Sequence, residues 1–418
     1  MRTDNQNPEA LPEAACCPPS PKTSGCCSAD SADPASPSRQ QSCCGQTSRS
    51  AESEREESAC CGGSATPPTD YAYGPAAYVT GSLQTPAGPV PTISRGITAG
   101  DRLGAWRVRW GVGRDDYRVR PGLYALGGPD AAAPVLVTAN YKLTFDELRS
   151  SLDALDAWLL VVDTRGINVW CAAGKGTFCA EEVARVVQET RLAEIVEHRR
   201  LILPQLSAPG VAAQRVREAC GFRAIFGPVR TCDIPAFLAA EMTADEEMRS
   251  VTFRLPERAV LVPEALSFAW DRRVLLAYAG IFAASAIDRD GISLGRAVRR
   301  GAPVIGAAWL AQLAGAAVTP LALPRLPGRA FSLKGAVAGG LLAAGAGAAF
   351  RRELSPAGKL ALLAGVPAAA SYVAMNFTGS SPITSPSGVE LEMRRALPLQ
   401  AAAAAVAIGA WVATRVGM

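Results

Sequence analysis

Histidine is nearly absent from this chain, with one residue, His198, in 418. It stands in the charged run Glu197-His198-Arg199-Arg200, which reads as a solvated face. A Cys–His nucleophile therefore has little to be built from. Charge of one sign is lacking as well. The formal net charge is +4, and no basic stripe interleaved with aromatics occurs. That excludes the usual footprint of a nucleic-acid partner. The first residues, Met1 to Pro8, hold no apolar run. No secretory signal is expected, which places the middle of the chain in the cytoplasm with its cysteines as thiols. The GxxxxGKS/T phosphate loop and the cysteine spacing of a zinc ribbon are missing too.

What is present is sharply segregated. Residues 1–75 are polar and rich in Pro and Ser, with no apolar periodicity. Such a stretch cannot bury enough surface to offset its ordering entropy, so a disordered tail is expected. Eight of the 12 cysteines fall there as adjacent pairs: Cys16-Cys17, Cys26-Cys27, Cys43-Cys44 and Cys60-Cys61. Adjacent thiols bridge each other only with strain. Together they suit a soft, thiophilic ion, so soft-metal capture by the tail is one reading and low-complexity drift the other.

Residues 92–250 read as a soluble α/β domain. Strands are expected at Pro134–Thr138, Trp158–Thr164, Leu201–Pro204 and Phe222–Phe226. Helices alternate with them: one capped by Thr144 with Glu147 three residues on, one over Cys179–Leu192, one over Gly210–Gly221 and one from Ile234. This alternation implies a mostly parallel sheet covered on both faces. Ligands in such sheets sit outside the strand C-termini, so the loops after Thr138, Thr164 and Pro204 should line a site. Thr138, Asn140 and Thr164 are candidate cofactor contacts on that ground. Asp101–Leu126 fits a hairpin or a lid.

The stretch Gly166-Ile167-Asn168-Val169-Trp170-Cys171-Ala172-Ala173-Gly174-Lys175-Gly176 follows the most strand-like run. Cys171 there has four readings: a buried structural thiol, half of a Cys–His pair, part of a phosphate-loop relative, or a metal ligand. A loop thiol near a helix start and a lysine is available as thiolate, a strong donor to a transition metal. One cysteine cannot by itself build a zinc or iron–sulfur site. It can supply one axial ligand to a metal already held in a macrocycle.

Asn168-Val169-Trp170-Cys171-Ala172-Ala173-Gly174-Lys175 resembles the signature of the mercury-methylating corrinoid protein family, HgcA, which is related to the corrinoid subunits of acetyl-CoA decarbonylase/synthase. Tyr117–Tyr124, Val135–Lys142 and Gly227-Pro228-Val229 agree with it. The resemblance implies a Rossmann-like domain binding a cobalamin-type corrinoid, with the signature forming a cap helix and Cys171 as lower axial ligand to cobalt. No D-x-H-x-x-G motif offers a histidine ligand instead. The resemblance further implies that Asn168 and Trp170 fix the cap, that Gly174 allows close approach and that Lys175 favours the thiolate. It implies a methyltetrahydrofolate-type methyl donor, mercury(II) as acceptor and a ferredoxin-like iron–sulfur partner of the HgcB type. Arsenic(III) as acceptor, with the tail presenting it, is an alternative. So is a non-enzymatic, membrane-tethered thiol protein.

After a linker at 251–273, five apolar stretches fill 274–418: about 274–287, 301–323, 335–350, 358–377 and 397–414. They imply an all-α transmembrane domain of about five helices, rich in Ala and Gly, in the inner (plasma) membrane. Arg and Lys flank both sides almost equally, so the positive-inside rule does not orient them. With the α/β domain cytoplasmic, five spans would put the C-terminus outside.

Overall fold

The computed structural model describes residues 76–288, 291–378 and 386–416. The Cys pairs and the expected disorder of the tail lie outside the described residues.

The α/β part is one seven-stranded sheet. Strands β1 (Val79–Thr85) and β2 (Gly88–Ile93) form a hairpin, followed by helix α1 (Ala99–Arg109) and β3 (Gly122–Leu126). Next come β4 (Val135–Ala139), α2 (Lys142–Ser150), β5 (Ala157–Val162), α3 (Val169–Gly174), α4 (Ala180–Glu189) and α5 (Leu192–Ile195). The sheet ends with β6 (Arg200–Leu203), α6 (Ala213–Cys220), β7 (Arg223–Phe226) and α7 (Ile234–Ala239). The spatial order is β1-β2-β3-β5-β4-β6-β7. Strands β5, β4, β6 and β7 run parallel, whereas β3 pairs antiparallel with β5. The sheet is therefore mixed, and two of its strands begin ahead of residue 92.

Every residue of β4 and β5 is buried, as expected for strands covered on both faces. One core packs Val183, Val186, Val187 and Val216 of α4 and α6 on the sheet. The other packs Phe145 and Leu148 of α2 and Phe237 of α7 on the opposite face. Two sequence readings change. The second helix starts at Lys142, with Tyr141 at its cap and no side-chain cap bond, so Thr144 lies inside it. The Asp101 region is helical rather than a hairpin, because Thr98 and Asp101 close a capping box at its start.

A buried ion network ties α1 to α2. Arg149, fully buried, donates to Asp146 Oδ1 at 2.8 Å and Asp101 Oδ2 at 3.0 Å. It also donates to the Ser94 and Gly96 carbonyls. Lys142 Nζ bridges Asp101 and Asp146 at 2.5 and 2.6 Å.

Short helices α8 (Glu246–Arg249), α9 (Leu255–Ala259) and α10 (Val262–Ser267) lead to α11 (Arg272–Ala286), α12 (Leu294–Leu313), α13 (Thr319–Leu321), α14 (Phe331–Ala349), α15 (Pro356–Asn376) and α16 (Pro386–Val416). Among the described residues, four segments are long and apolar enough to cross a membrane: Leu294–Leu321, Phe331–Ala349, Pro356–Asn376 and Ser387–Thr414. The first expected span is α11, at 15 residues. At ~1.5 Å per residue it reaches about 22 Å, short of a ~30 Å hydrocarbon core. The count of five falls to four, and the opposite-side C-terminus, which rested on five, falls with it.

Glycines bring α14 onto α15. A Cβ on Gly335 would lie 2.5 Å from the Ala370 carbonyl oxygen and 2.5 Å from Ala374 Cβ. Gly335→Val is therefore expected to push the helices apart and cost at least the ~1–3 kcal/mol of ordinary overpacking. A lowered melting temperature in detergent checks this.

Candidate functional site

The segment between β5 and α3 is held by a buried polar knot. Asn140 Oδ1 accepts from Thr164 N (3.1 Å), Thr164 Oγ1 (2.9 Å) and Gly166 N (2.9 Å). Its amide donates to Asp163 at 2.9 Å. Arg165 and Gly166 are both left-handed, at φ 58° and 74°. A Cβ on Gly166 would also sit 2.8 Å from the Arg118 side chain, so glycine is required there. The chain thus reverses sharply and enters α3.

Asn168 caps α3, its Oδ1 accepting from Cys171 N at 2.9 Å. Cys171, read from the residues as a loop thiol beside a helix start and by the resemblance as part of a cap helix, lies on this short helix with its side chain exposed. Val169, Ala172 and Ala173 are buried on the opposite side. Gly210 lets this helix settle, since a Cβ there would lie 2.8 Å from Ala173 Cα and 2.6 Å from the Phe178 carbonyl oxygen. Gly174 and Lys175 are exposed. A Cβ on Gly174 would meet no protein atom within 4 Å, so no contact inside the described protein demands glycine there.

A cleft of about 270 Å³ opens at the C-terminal ends of β4, β6 and β7. Thr138, Leu203, Pro204 and Gly227 form its floor and rim, and Asn168, Val169 and Trp170 overhang it. The loops after Thr138 and Pro204 line it as the sheet geometry predicts. Asn140 and Thr164 do not: both are fully buried and hold the backbone instead. Cys171, one residue beyond the lining residue Trp170, is exposed and is not itself part of the lining. Sequence reasoning missed Leu206, Thr231 and Ile234 in the cleft wall, which carry only an apolar or turn signal. A larger hollow of about 560 Å³ lies among α14, α15 and α16. Its walls belong to candidate spans, where lipid tails are the natural filling, so the smaller cleft is the candidate site.

Cys171 lies within electrostatic reach of Arg114 and Tyr141. Burial alone would lower the Arg114 guanidinium, but its ion pair with Glu264 of α10 carries it above its usual range. Burial raises the Tyr141 hydroxyl, partly opposed by Arg114. None of the four described cysteines is in a disulfide. His198 is not a catalytic partner: Nε2 meets the Ala133 carbonyl at 2.9 Å and Nδ1 meets Arg200 N at 3.3 Å. Both ring nitrogens are spent on backbone. No group of three potential metal ligands occurs among the described residues.

This geometry coincides with a sequence match. Residues 112–238 match the family model described as CO dehydrogenase/acetyl-CoA synthase delta subunit. The matched stretch runs from the turn after α1 to α7, enclosing the cleft and α3. Among curated proteins, the chain is 38% identical over 130 residues to the acetyl-CoA decarbonylase/synthase complex subunit gamma of Methanopyrus kandleri, covering 31% of this chain and 28% of that one. It is 31% identical over 129 residues to the corrinoid/iron-sulfur protein large subunit of Moorella thermoacetica, covering 30% and 28%. The Archaeoglobus fulgidus gamma subunit is 33% identical over 127 residues, covering 30% of this chain and 27% of its own. The chain thus spans well under a third of the length of these relatives.

Removing Asn140 should loosen the entry to α3. Asn140→Ala strips the acceptor from the buried Thr164 and Gly166 amides, each orphaned group costing ~1–3 kcal/mol. The expected result is faster amide hydrogen exchange at 164–171, with the strand amides of β4 and β5 still protected.

Proposed function

We propose that the α/β part binds a corrinoid over the C-terminal ends of β4, β6 and β7, with Cys171 as the protein's one ligand to its cobalt. On this reading the chain is a membrane-anchored methyl-transfer protein of the HgcA kind, taking methyl from a methyltetrahydrofolate-type donor and passing it to mercury(II). The observation that carries the proposal is an exposed thiol on a capped helix overhanging a sheet-end cleft, inside the stretch similar to a corrinoid/iron-sulfur protein.

The donor set fits such a group. Cys171, with no group of three ligating side chains among the described residues, cannot assemble a metal centre by itself. It would suit a metal that arrives already held in a macrocycle. Cys171 is fixed in direction by the Asn168 cap beneath it and by Ala172 and Ala173 packed behind it. Trp170 presents its half-buried ring to the cleft, where a flat apolar edge can rest. Gly174 leaves open space on the outer side. Arg114 supplies positive charge toward the sulfur. Bound there, a corrinoid supplies a cobalt centre that carries methyl, and an anionic sulfur ligand makes that methyl easier to give to an electrophilic, thiophilic metal ion. A ferredoxin-like iron–sulfur partner would keep the cobalt reduced. The four apolar segments support anchoring in a membrane; the proposal places that anchor in the plasma membrane with the α/β part on the cytoplasmic side.

The test is an absorption spectrum of the purified full chain after anaerobic reconstitution with cobalamin. The wild type should retain the corrinoid with a spectrum that Cys171→Ala alters. A chain that retains no corrinoid, or a spectrum identical in the variant, overturns the assignment.

A further inference from the structure

Helix α1 has a face that the rest of the described protein leaves largely uncovered, with Leu103 and Trp106 exposed and Trp110 at its end half-buried. At ~100° per residue, Leu103, Trp106 and Trp110 fall on one stripe. Arg107 lies on one flank of that stripe and Arg102 and Arg109 on the other. The helix's two buried residues, Asp101 and Val108, fall on the opposite side. Asp101 is the only acid in α1, and it is turned inward to Lys142 and Arg149. The outward face is therefore apolar along its centre and cationic along both edges.

The exposure is large. Leu103 is 59% exposed, Trp106 61%, and Val112 in the following turn 51%. The Trp106 and Trp110 rings lie 6.4 Å apart, forming one indole surface. The turn after α1 is docked on the approach to the spans. Gly111, at φ 77°, would place a Cβ 3.0 Å from Ser267 Oγ of α10. Arg114 pairs with Glu264 of the same helix. From α10 the chain passes through Phe268 and Trp270, exposed by 59% and 48%, into α11. The uncovered face thus continues a segment that leads directly into the candidate membrane part. Asp115 and Asp116 follow only after the turn.

We infer that α1 lies on the bilayer surface, a binding site for anionic lipid. Trp106, Trp110 and Leu103 enter the boundary between headgroups and acyl chains, where indole is preferred. Arg102, Arg107 and Arg109 extend their stems along that boundary and place their guanidinium groups on lipid phosphates. A protein partner would be expected to present acids to one edge of such a helix. Arginines on both edges of a narrow apolar stripe match a planar anionic surface instead.

The experiment uses the full chain in nanodiscs of phosphatidylcholine, with and without phosphatidylglycerol. The emission difference between wild type and Trp106→Phe isolates Trp106. That difference signal should be blue-shifted and lost when the lipids carry brominated acyl chains, with the loss greater when phosphatidylglycerol is present. In the triple variant Arg102→Gln, Arg107→Gln, Arg109→Gln, the dependence on phosphatidylglycerol should vanish while the melting temperature stays unchanged. A Trp106 signal quenched by aqueous acrylamide and untouched by brominated lipid overturns the inference, whether water or another protein covers the helix. Neither variant alters a residue of the cleft or of α3, so corrinoid retention reads out the preceding proposal separately.

Discussion

Cys171→Ala is expected to abolish methyl transfer to mercury(II) without unfolding the protein. The side chain is exposed, so its removal leaves no cavity. The Asn168 cap bonds the backbone amide of residue 171, which the substitution retains. Alanine is also the better helix former. The melting temperature should therefore stay where it is. Activity should fall at least about a hundredfold, since even outer partners of a metal ligand are worth ten- to a hundredfold. The assay measures methylmercury formed by the reconstituted full chain with a methyl donor and a reductant. Parallel arms with arsenite show which thiophilic acceptor is used. Cys171→His is the sharper companion. An imidazole can still ligate, but as a neutral donor. Corrinoid should be retained while transfer to the metal ion drops. Full transfer by the alanine variant would sink the ligand role.

Arg149→Met is expected to be the most damaging single change to the fold of the α/β part. It removes a fully buried guanidinium that serves two carboxylates and two backbone carbonyls. Breaking a buried ion pair from one side costs ~3–5 kcal/mol, because the partners stay buried without compensation. Lys142 alone would then face both Asp101 and Asp146. A large fall in melting temperature and faster exchange across α1 and α2 should follow.

The same network sets an acid limit. Burial alone would raise the Asp101 carboxyl, but hydrogen bonds from Lys142 and Thr98 hold it well below its ordinary 3.8. A carboxyl depressed in the folded state contributes fully above its unfolded value and is lost as pH falls through its folded one. Stability should therefore be flat with respect to Asp101 above about pH 4 and decline below it. In Lys142→Met the folded value rises toward the unfolded one, so less remains to be lost in acid. Melting temperature against pH, for both proteins, checks the sign.

Much of the site is legible in the chain because its cause is local. Asn168 followed by a short apolar-and-small run can cap and start a helix whatever surrounds it. Strands β4 and β5 announce themselves as unbroken apolar runs because both their faces are covered. The apolar segments Leu294–Leu321 and Ser387–Thr414 are set by composition alone. The placement of Thr138 and Pro204 in the cleft follows from chain direction in a parallel sheet.

Other features needed the closed structure. Asn140 reads as a strand-end polar residue, yet its partners Thr164 and Gly166 lie on the next crossover, and only the pairing of β4 with β5 brings them within reach. Asp101 and Arg149 meet across 48 positions. Residues in the turn after α1 meet α10 only through the fold, which is why Arg114 escaped notice. Helix α11 has nearly the length of the apolar stretch 274–287; whether flanking residues extend it into a span is decided by the short strands β8 (Ile287–Asp288) and β9 (Gly291–Ile292), which follow it instead of further helix. The sequence by itself determined the alternating strands and helices from β4 to α7 and the apolar composition of the C-terminal segments, and it singled out one thiol beside a helix start. Those outcomes depend on neighbours a few residues away. The tertiary structure decided which polar groups are buried as struts, which face of α1 is left outward and what stands beside Cys171. Those depend on register and closure between distant segments, which local periodicity does not encode.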